Sequence, residues 1–273
     1  MSVSTSLFVP QFPRSCAYHP DWLLASASGG ANSVWLAEWL TTALDLKPGM
    51  NVLDLGCGRA ASSIFLAREF GVKVWATDLW FSSTENLKRI RDAGLEQNVF
   101  PMHADARSLP FAADFFDAIV SIDAFPYFGT DDHYLSYLAR LVKPDGNIAI
   151  AAAGFIDEIE GDVPSHLVEW LSSEPLLWSM HSAAWWRRHW ERSGIVDVEL
   201  ADNMPDGWRR WVEWHRHIAP ENLLEIQTVE ADGGRHLGYQ RVVARRRRDA
   251  ILQEPITSVP TNYIQQPLLR EHS

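Results

Sequence analysis

The most constraining stretch of the chain is Val52-Leu53-Asp54-Leu55-Gly56-Cys57-Gly58. A short apolar run, Asn51–Leu55, passes into a glycine loop, and the loop opens onto the helical pattern Ser62–Phe70 carrying Ile64, Phe65 and Leu66. Glycines let the backbone turn sharply and approach a ligand closely. The helix N-terminus beyond them offers unpaired N–H groups. In an open α/β sheet such a loop lies at the carboxyl end of a strand, where ligands bind.

The segments that follow keep the same rhythm. Strands are predicted at Val72–Thr77, Val99–Met102, Ala118–Ile122 and Ile148–Ala153. Helices are predicted at Ser83–Ala93 and Asp131–Val142, the latter capped by Thr130 with acids in its first turn. A helix at about 31–44 precedes the loop and ends at Lys47-Pro48-Gly49. Short apolar strands alternating with helices imply a parallel sheet covered on both faces. After residue 155 the pattern becomes helical and rich in tryptophan, returning to strand at Val196–Leu200 and Leu237–Ala244. The organisation read from this is an N-terminal arm over 1–30, a single domain over 31–248 and a C-terminal tail over 249–273. Within the domain, 156–193 and 204–230 stand out as insertions. The chain shows no internal repeat and no low-complexity segment.

Charge and cysteine content narrow the partners. A net charge of −11 argues against a general nucleic-acid binder. The basic run Arg245–Arg248 reads as a solvated strand end. Of the two cysteines, Cys57 sits inside the glycine loop, so a disulfide with Cys16 is not expected and a reducing compartment is the default. No signal-peptide pattern and no membrane-spanning apolar run are visible, and the expectation is a cytoplasmic protein. Monomer and homodimer stay open.

The glycine loop alone fits two chemistries. Gly56, Gly58 and Ala61 match the dinucleotide pattern, in which a pyrophosphate rests on the helix end. Asp54, two residues before the first glycine, would oppose a pyrophosphate and suits the ammonium of an amino-acid-like ligand. Asp78, twenty positions after Gly58, can accept from ribose hydroxyls in either case, and Leu79 and Trp80 could pack on an adenine face. The segment His103-Ala104-Asp105-Ala106, then Leu109-Pro110-Phe111 and Phe116-Asp117-Ala118-Ile119, separates the readings. With the turn Pro144-Asp145-Gly146, these five signals in order resemble the class I S-adenosylmethionine-dependent methyltransferases, in the branch similar to ubiquinone and menaquinone biosynthesis enzymes. The last departs from the family's Pro-Gly-Gly-like turn, and the resemblance covers residues 51–153.

The resemblance implies a Rossmann-like sheet of seven strands, helices on both faces, with Leu237–Ala244 antiparallel and inserted near the edge. It implies S-adenosyl-L-methionine as cofactor. Asp54, Gly56, Cys57 and Gly58 would surround its methionine part, and Asp78, Leu79 and Trp80 its ribose and adenine. Asp105 would accept from the adenine amino group between Ala104 and Ala106, with Ser121 and Asp123 bordering the sulfonium and the acceptor. Tyr18 sits where an N-terminal arm could fold over the cofactor. Helix capping is the competing role for Asp78 and Asp123.

A base is needed only if the nucleophile must lose a proton. The candidates are Asp123, Tyr127 and His181, with His133 and His215 behind them. Asp131-Asp132 reads as a helix start, so no metal is expected. Eight of the thirteen tryptophans fall in the two insertions, which are expected to form a lid and an aromatic acceptor pocket including Trp185 and Trp208. Such a pocket favours a small acceptor that is apolar, aromatic or amine-bearing. A nicotinamide-dependent oxidoreductase and a non-catalytic S-adenosylmethionine-binding protein are the competing classes.

Overall fold

The structure is a computed structural model that describes residues 7–173 and 175–252. Most of the expected tail, from 253 on, and the first six residues of the arm lie outside the described residues. Seven strands form one sheet: β1 (Asn51–Leu55), β2 (Lys73–Asp78), β3 (Val99–His103), β4 (Phe116–Ile122), β5 (Val142–Phe155), β6 (Val196–Asn203) and β7 (Leu237–Arg246). Their order is β3-β2-β1-β4-β5-β7-β6. The pairs β3–β2, β2–β1, β1–β4 and β4–β5 are parallel, and β7 runs antiparallel to both β5 and β6. Six strands therefore share one direction and the last opposes them, one place in from the edge, as the family resemblance implied. The strand order reverses between β1 and β4, so the crevice at their carboxyl ends is the natural ligand site.

Strand residues alternate between two apolar layers, as a two-sided sheet requires. Val52, Val74 and Val120 face a cluster built with α1 (Pro20–Ala25), α2 (Ser33–Thr41), α3 (Ala61–Phe70) and α4 (Ser83–Asp92). Leu53, Leu55 and Ile119 face a second cluster on the opposite side. The arm is part of the first layer. Phe12 stacks on Trp35, and the buried Glu38 carboxylate accepts from the backbone N–H groups of Arg14 and Ser15 and from the Ser15 hydroxyl.

Two local expectations change. The helix expected over 131–142 shortens to α5 (Tyr134–Ala139), without Thr130 as its cap. The Asp131 carboxylate accepts from the His133 N–H at 2.7 Å, and this local turn competes with helix over the first three residues. The first tryptophan-rich insertion also divides in two. Its α6 (Ser165–Ser173) packs beside α9 (Leu223–Asp232), while its α7 (Ala183–Glu191) packs on β6 and β7. Trp186 and Trp190 are fully buried there, edge-on to Phe125. That helix belongs to the second face of the sheet. The covering layer above the crevice is α6 with α8 (Gly207–Ile218) and α9.

The basic run is neutralised side chain by side chain: Arg245 on Glu199, Arg246 on Asp114, Arg247 on Asp249 and Arg248 on Asp145. Both cysteines are free thiols. Among the described residues, no helix is long and apolar enough to cross a membrane.

Candidate active site

Two adjoining cavities occupy the crevice at the carboxyl ends of β1 and β4, of about 310 and 430 Å³. The first follows the glycine loop. Gly56, at φ 78°, faces the loop after β4 so closely that a Cβ would lie 2.3 Å from that of Ala124. A Cβ on Gly58 would lie 2.1 Å from the Ser28 hydroxyl oxygen, so the N-terminal segment closes over the loop. Only glycine fits at either place.

Asp78 is the polar centre of this first cavity. One carboxylate oxygen accepts from the Gly58 N–H at 2.8 Å, the other from the Trp80 and Phe81 N–H groups at 2.7 and 2.9 Å. A carboxylate has about four acceptor positions, so one remains for a ligand. The Thr77 hydroxyl lines the same wall, buried and without a protein partner. At the far end Ala104 and Ala106 flank Asp105, whose carboxylate the Arg107 guanidinium and backbone N–H hold down at a pKa of about 2. Leu79 and Trp80 form an exposed rim, and Trp80 meets Tyr127 edge-on at 5.4 Å across the mouth.

The second cavity lies under α6, α8 and α9. Trp170 from α6 and Trp211 from α8 supply its aromatic walls, 5.8 Å apart in an edge-to-face pair. Its polar floor is a buried pair. His215 Nε2 lies 3.1 Å from a Glu225 oxygen, and Nδ1 lies 3.2 Å from the Trp211 carbonyl oxygen. Both ring nitrogens face acceptors, an arrangement that suits the imidazolium. Burial alone would lower the His215 pKa, but the hydrogen bond and charge of Glu225 raise it above its ordinary value. Glu225 is in turn held below the ordinary carboxylate range by His215 against its own burial, and it also accepts from Trp211 Nε1 at 2.8 Å.

Gly29, Gly30, Asp123 and Tyr127 line both cavities. Asp123 follows β4 directly, with φ at 55°, a backbone conformation that is rare for a residue with a side chain. Its two carboxylate oxygens accept from the Ala31 and Ala153 N–H groups at 3.0 and 3.2 Å. Burial pushes its pKa up to about 6, against the pull of those two bonds and of the nearby His215.

The sequence comparisons agree with this geometry. Residues 52–146 match the family described as a methyltransferase domain. The chain is 32% identical over 171 residues to the methyltransferase GfsG of Streptomyces halstedii, covering 61% of this chain and 60% of that protein. It is 30% identical over 202 residues to a 2-methyl-6-phytyl-1,4-hydroquinone methyltransferase of Synechocystis, covering 70% of this chain and 61% of that one. The chain therefore spans less than two thirds of the length of these relatives. The fold is that of geranyl diphosphate C-methyltransferase from Streptomyces coelicolor, at a TM-score of 0.62 and 21% identity over 77% of each chain. Residues 52–146 thus match a methyltransferase domain, and the chain is similar to methyltransferases in sequence and shares their fold.

Around this crevice, the residues expected at the site separate into walls and supports. Gly56, Cys57, Asp78, Leu79, Trp80, Ala104, Asp105 and Ala106 line the first cavity. Asp54 does not reach it. Its carboxylate is buried behind the loop and accepts from the Ser62 and Ser63 hydroxyls, both at 2.6 Å, bracing the first turn of α3. Burial raises its pKa to about 6, the two serine bonds notwithstanding. Gly58 donates to Asp78 from behind the wall, and the Ser121 hydroxyl donates to the Leu55 carbonyl, stitching β4 to β1. Tyr18 is in the core, its hydroxyl on Glu69 and its ring against Trp22 and Phe65.

Among the candidate bases, Asp123 and Tyr127 sit at the junction of the cavities. His181 lies outside both cavities, paired with Glu158 and stacked 3.7 Å from Trp185. His133 is exposed on the turn before α5. Neither Trp185 nor Trp208 lines the first or the second cavity. Trp185 is sandwiched between His181 and His189, and Trp208 packs on Gly234. The sequence reading missed the loop Ser28-Gly29-Gly30, assigned to the arm, and Ala31, assigned to the following helix, and it missed Glu225. The paired glycines signal the loop, but Glu225 in sequence reads only as the cap partner of Asn222, a role it also has.

Proposed function

We propose that the chain transfers a methyl group from S-adenosylmethionine to a small molecule with an apolar or aromatic body and a hydroxyl or amine as its nucleophile. The observation that carries this is the position of Asp123, a carboxylate shared by the donor-side and acceptor-side cavities.

The residues present fit the cofactor. The first cavity offers an unused acceptor position on Asp78 for a ribose hydroxyl, another on Asp105 for the adenine amino group, and the unpartnered Thr77 hydroxyl. Ala104 and Ala106 leave room for a flat ring beside Asp105. Held between Asp78 and the Ala104–Ala106 segment, the cofactor would supply an electrophilic methyl carbon on a sulfonium. The protein contributes alignment and exclusion of water. Trp170 and Trp211 hold the body of the acceptor by ring contact. Asp123 accepts the proton that the nucleophile loses, and a pKa of about 6 leaves it ionised at neutral pH yet basic enough for that task. The His215–Glu225 pair contributes no free base. Its role is to fix the floor of the acceptor cavity and to keep positive charge near Asp123.

In this reading residues 31–248 are the catalytic domain, the 28–31 segment is its donor-side clasp, and α6, α8 and α9 are the acceptor cover. Two free thiols and the net charge of −11 support a reducing, cytoplasmic setting and a partner that is not nucleic acid. The test is calorimetric titration with S-adenosylmethionine and with a nicotinamide dinucleotide, followed by measurement of S-adenosylhomocysteine release across hydroxylated aromatics and amines. Saturable binding of the first and acceptor-dependent release are expected. Preference for the dinucleotide would overturn the reading, and so would binding without release for every acceptor class.

A further inference from the structure

Away from both cavities, three side chains from separate segments converge on the outer side of the acceptor cover: His166 on α6, Asp232 at the end of α9, and His236 just before β7. Their ligand-type atoms all lie within 4.8 Å of one another. The Asp232 side chain is fully buried, while the two imidazoles keep 24% and 32% of their surface exposed. One Asp232 oxygen is held by the backbone N–H groups of His236 and Leu237, at 2.9 and 3.0 Å. The other faces only the imidazoles, with His166 Nε2 at 3.0 Å and His236 Nδ1 at 2.8 Å.

We propose that His166, Asp232 and His236 form a binding site for a divalent transition-metal ion of the zinc type, which clasps α6 to the end of α9. Two imidazole nitrogens and one carboxylate oxygen are a donor set that zinc takes, leaving a fourth position for water. With bonds of about 2.0–2.2 Å, neighbouring ligands in a tetrahedral site stand about 3.3 Å apart. The two carboxylate–imidazole separations of 2.8 and 3.0 Å thus need to open by only a few tenths of an ångström, and the two ring nitrogens lie within 4.8 Å of each other. The backbone N–H groups on the second Asp232 oxygen act as the supporting shell that orients a ligating carboxylate. Binding requires the metal-facing nitrogen of each imidazole to carry no proton. Arg235, next to the site in sequence, is bonded to the carbonyl oxygens of Ala231 and Asp232.

The place in the fold gives the site a consequence. Trp170 lies one turn beyond His166 on α6, and Glu225 lies two turns before Asp232 on α9. A metal bridging the two helices would fix the wall and the floor of the acceptor cavity relative to each other.

The probe is zinc ion alone, added to the full chain after chelator treatment and removal of any purification tag, with a chromophoric chelator as competitor. The wild type is expected to bind one equivalent and to melt at a higher temperature with zinc than without. His166→Ala and His236→Ala should each weaken binding at least about 10- to 100-fold, no less than the loss of an outer-shell partner does. His236→Gln keeps a donor for Asp232 and serves as the folding control. It should melt as the wild type does in the absence of zinc and lose the zinc-dependent shift. Equal zinc affinity in the wild type and the His166→Ala/His236→Ala double variant would overturn the proposal, as would the absence of saturable binding to the wild type.

Discussion

The two cavities are built in different ways. Inside its aromatic rim, the first cavity, the proposed donor side, is made of backbone and short side chains at the ends of consecutive strands: Gly56 and Cys57 after β1, Asp78 at the end of β2, Ala104 to Ala106 after β3. Its one central acid is held by three backbone N–H groups. The second cavity, the proposed acceptor side, is made of long side chains on helices, Trp170 from α6 and Trp211, His215 and Glu225 from the consecutive α8 and α9, which hold one another. A backbone-built cavity has a shape that few substitutions can alter without unfolding the loop. A side-chain-built cavity can change its occupant by exchanging one helix face while the sheet beneath stays as it is. The contrast predicts that variants of the two sides separate donor binding from acceptor binding.

The sharpest test is at the junction. Asp123→Asn should leave both affinities nearly intact and lower kcat by roughly 100- to 10,000-fold, the usual range for loss of a general base. Because the carboxylate is the active form, wild-type kcat/KM should rise with pH up to about 6 and level off above it. That limb should be absent in the variant. An unchanged pH profile would assign Asp123 to structure alone.

Next in size is a change meant to leave both cavities untouched. Trp186→Ala removes a fully buried indole from the α7 layer and should cost about 3–5 kcal/mol of stability, as read from denaturant melts. The surviving folded enzyme should show normal KM values for donor and acceptor. A selective rise in acceptor KM would return α7 to the acceptor pocket.

The third variant, Asp78→Ala, addresses the donor side. One free acceptor position supports one charge-assisted bond to a ribose hydroxyl. Its loss should weaken S-adenosylmethionine about 10-fold, at about 1.4 kcal/mol per decade, with acceptor KM unchanged in steady-state assays. A loss of 1,000-fold would mean that the carboxylate supports the whole loop through its three backbone bonds.

The smallest effect is expected on the acceptor side. Trp211→Phe keeps ring contact but deletes the Nε1 hydrogen bond to Glu225, worth about 0.5–1.5 kcal/mol. Acceptor KM should rise a few-fold while calorimetry finds the same donor affinity. A matched fall in donor affinity would merge the two sides into one cooperative unit.

The first cavity was legible in sequence because each of its parts is a local pattern. A strand ending in Gly-x-Gly, an acid ending the next strand and a small residue on either side of Asp105 specify their own backbone, and the parallel sheet then lines up the strand ends. The same local patterns misled where a residue's role depends on what lies behind it. Asp54 carries the family's motif position, yet its carboxylate meets Ser62 and Ser63 one helical turn into α3. Tyr18 sits in the right segment, yet its ring turns inward to Phe65.

By itself the sequence determined the strands, the glycine loop, the antiparallel last strand through its family resemblance, and the acids along the first cavity. Only the tertiary structure decided which tryptophans line the second cavity. Trp170, Trp186, Trp190 and Trp211 are all buried helical residues, but Trp186 and Trp190 are buried against the sheet and Trp170 and Trp211 beside a cavity. It also decided that His215 meets Glu225 and that Asp123 borders both cavities. The physical reason is range. Hydrophobic periodicity says that a helix face is buried, while the partner of that face is set by how helices distant in sequence pack on the finished sheet.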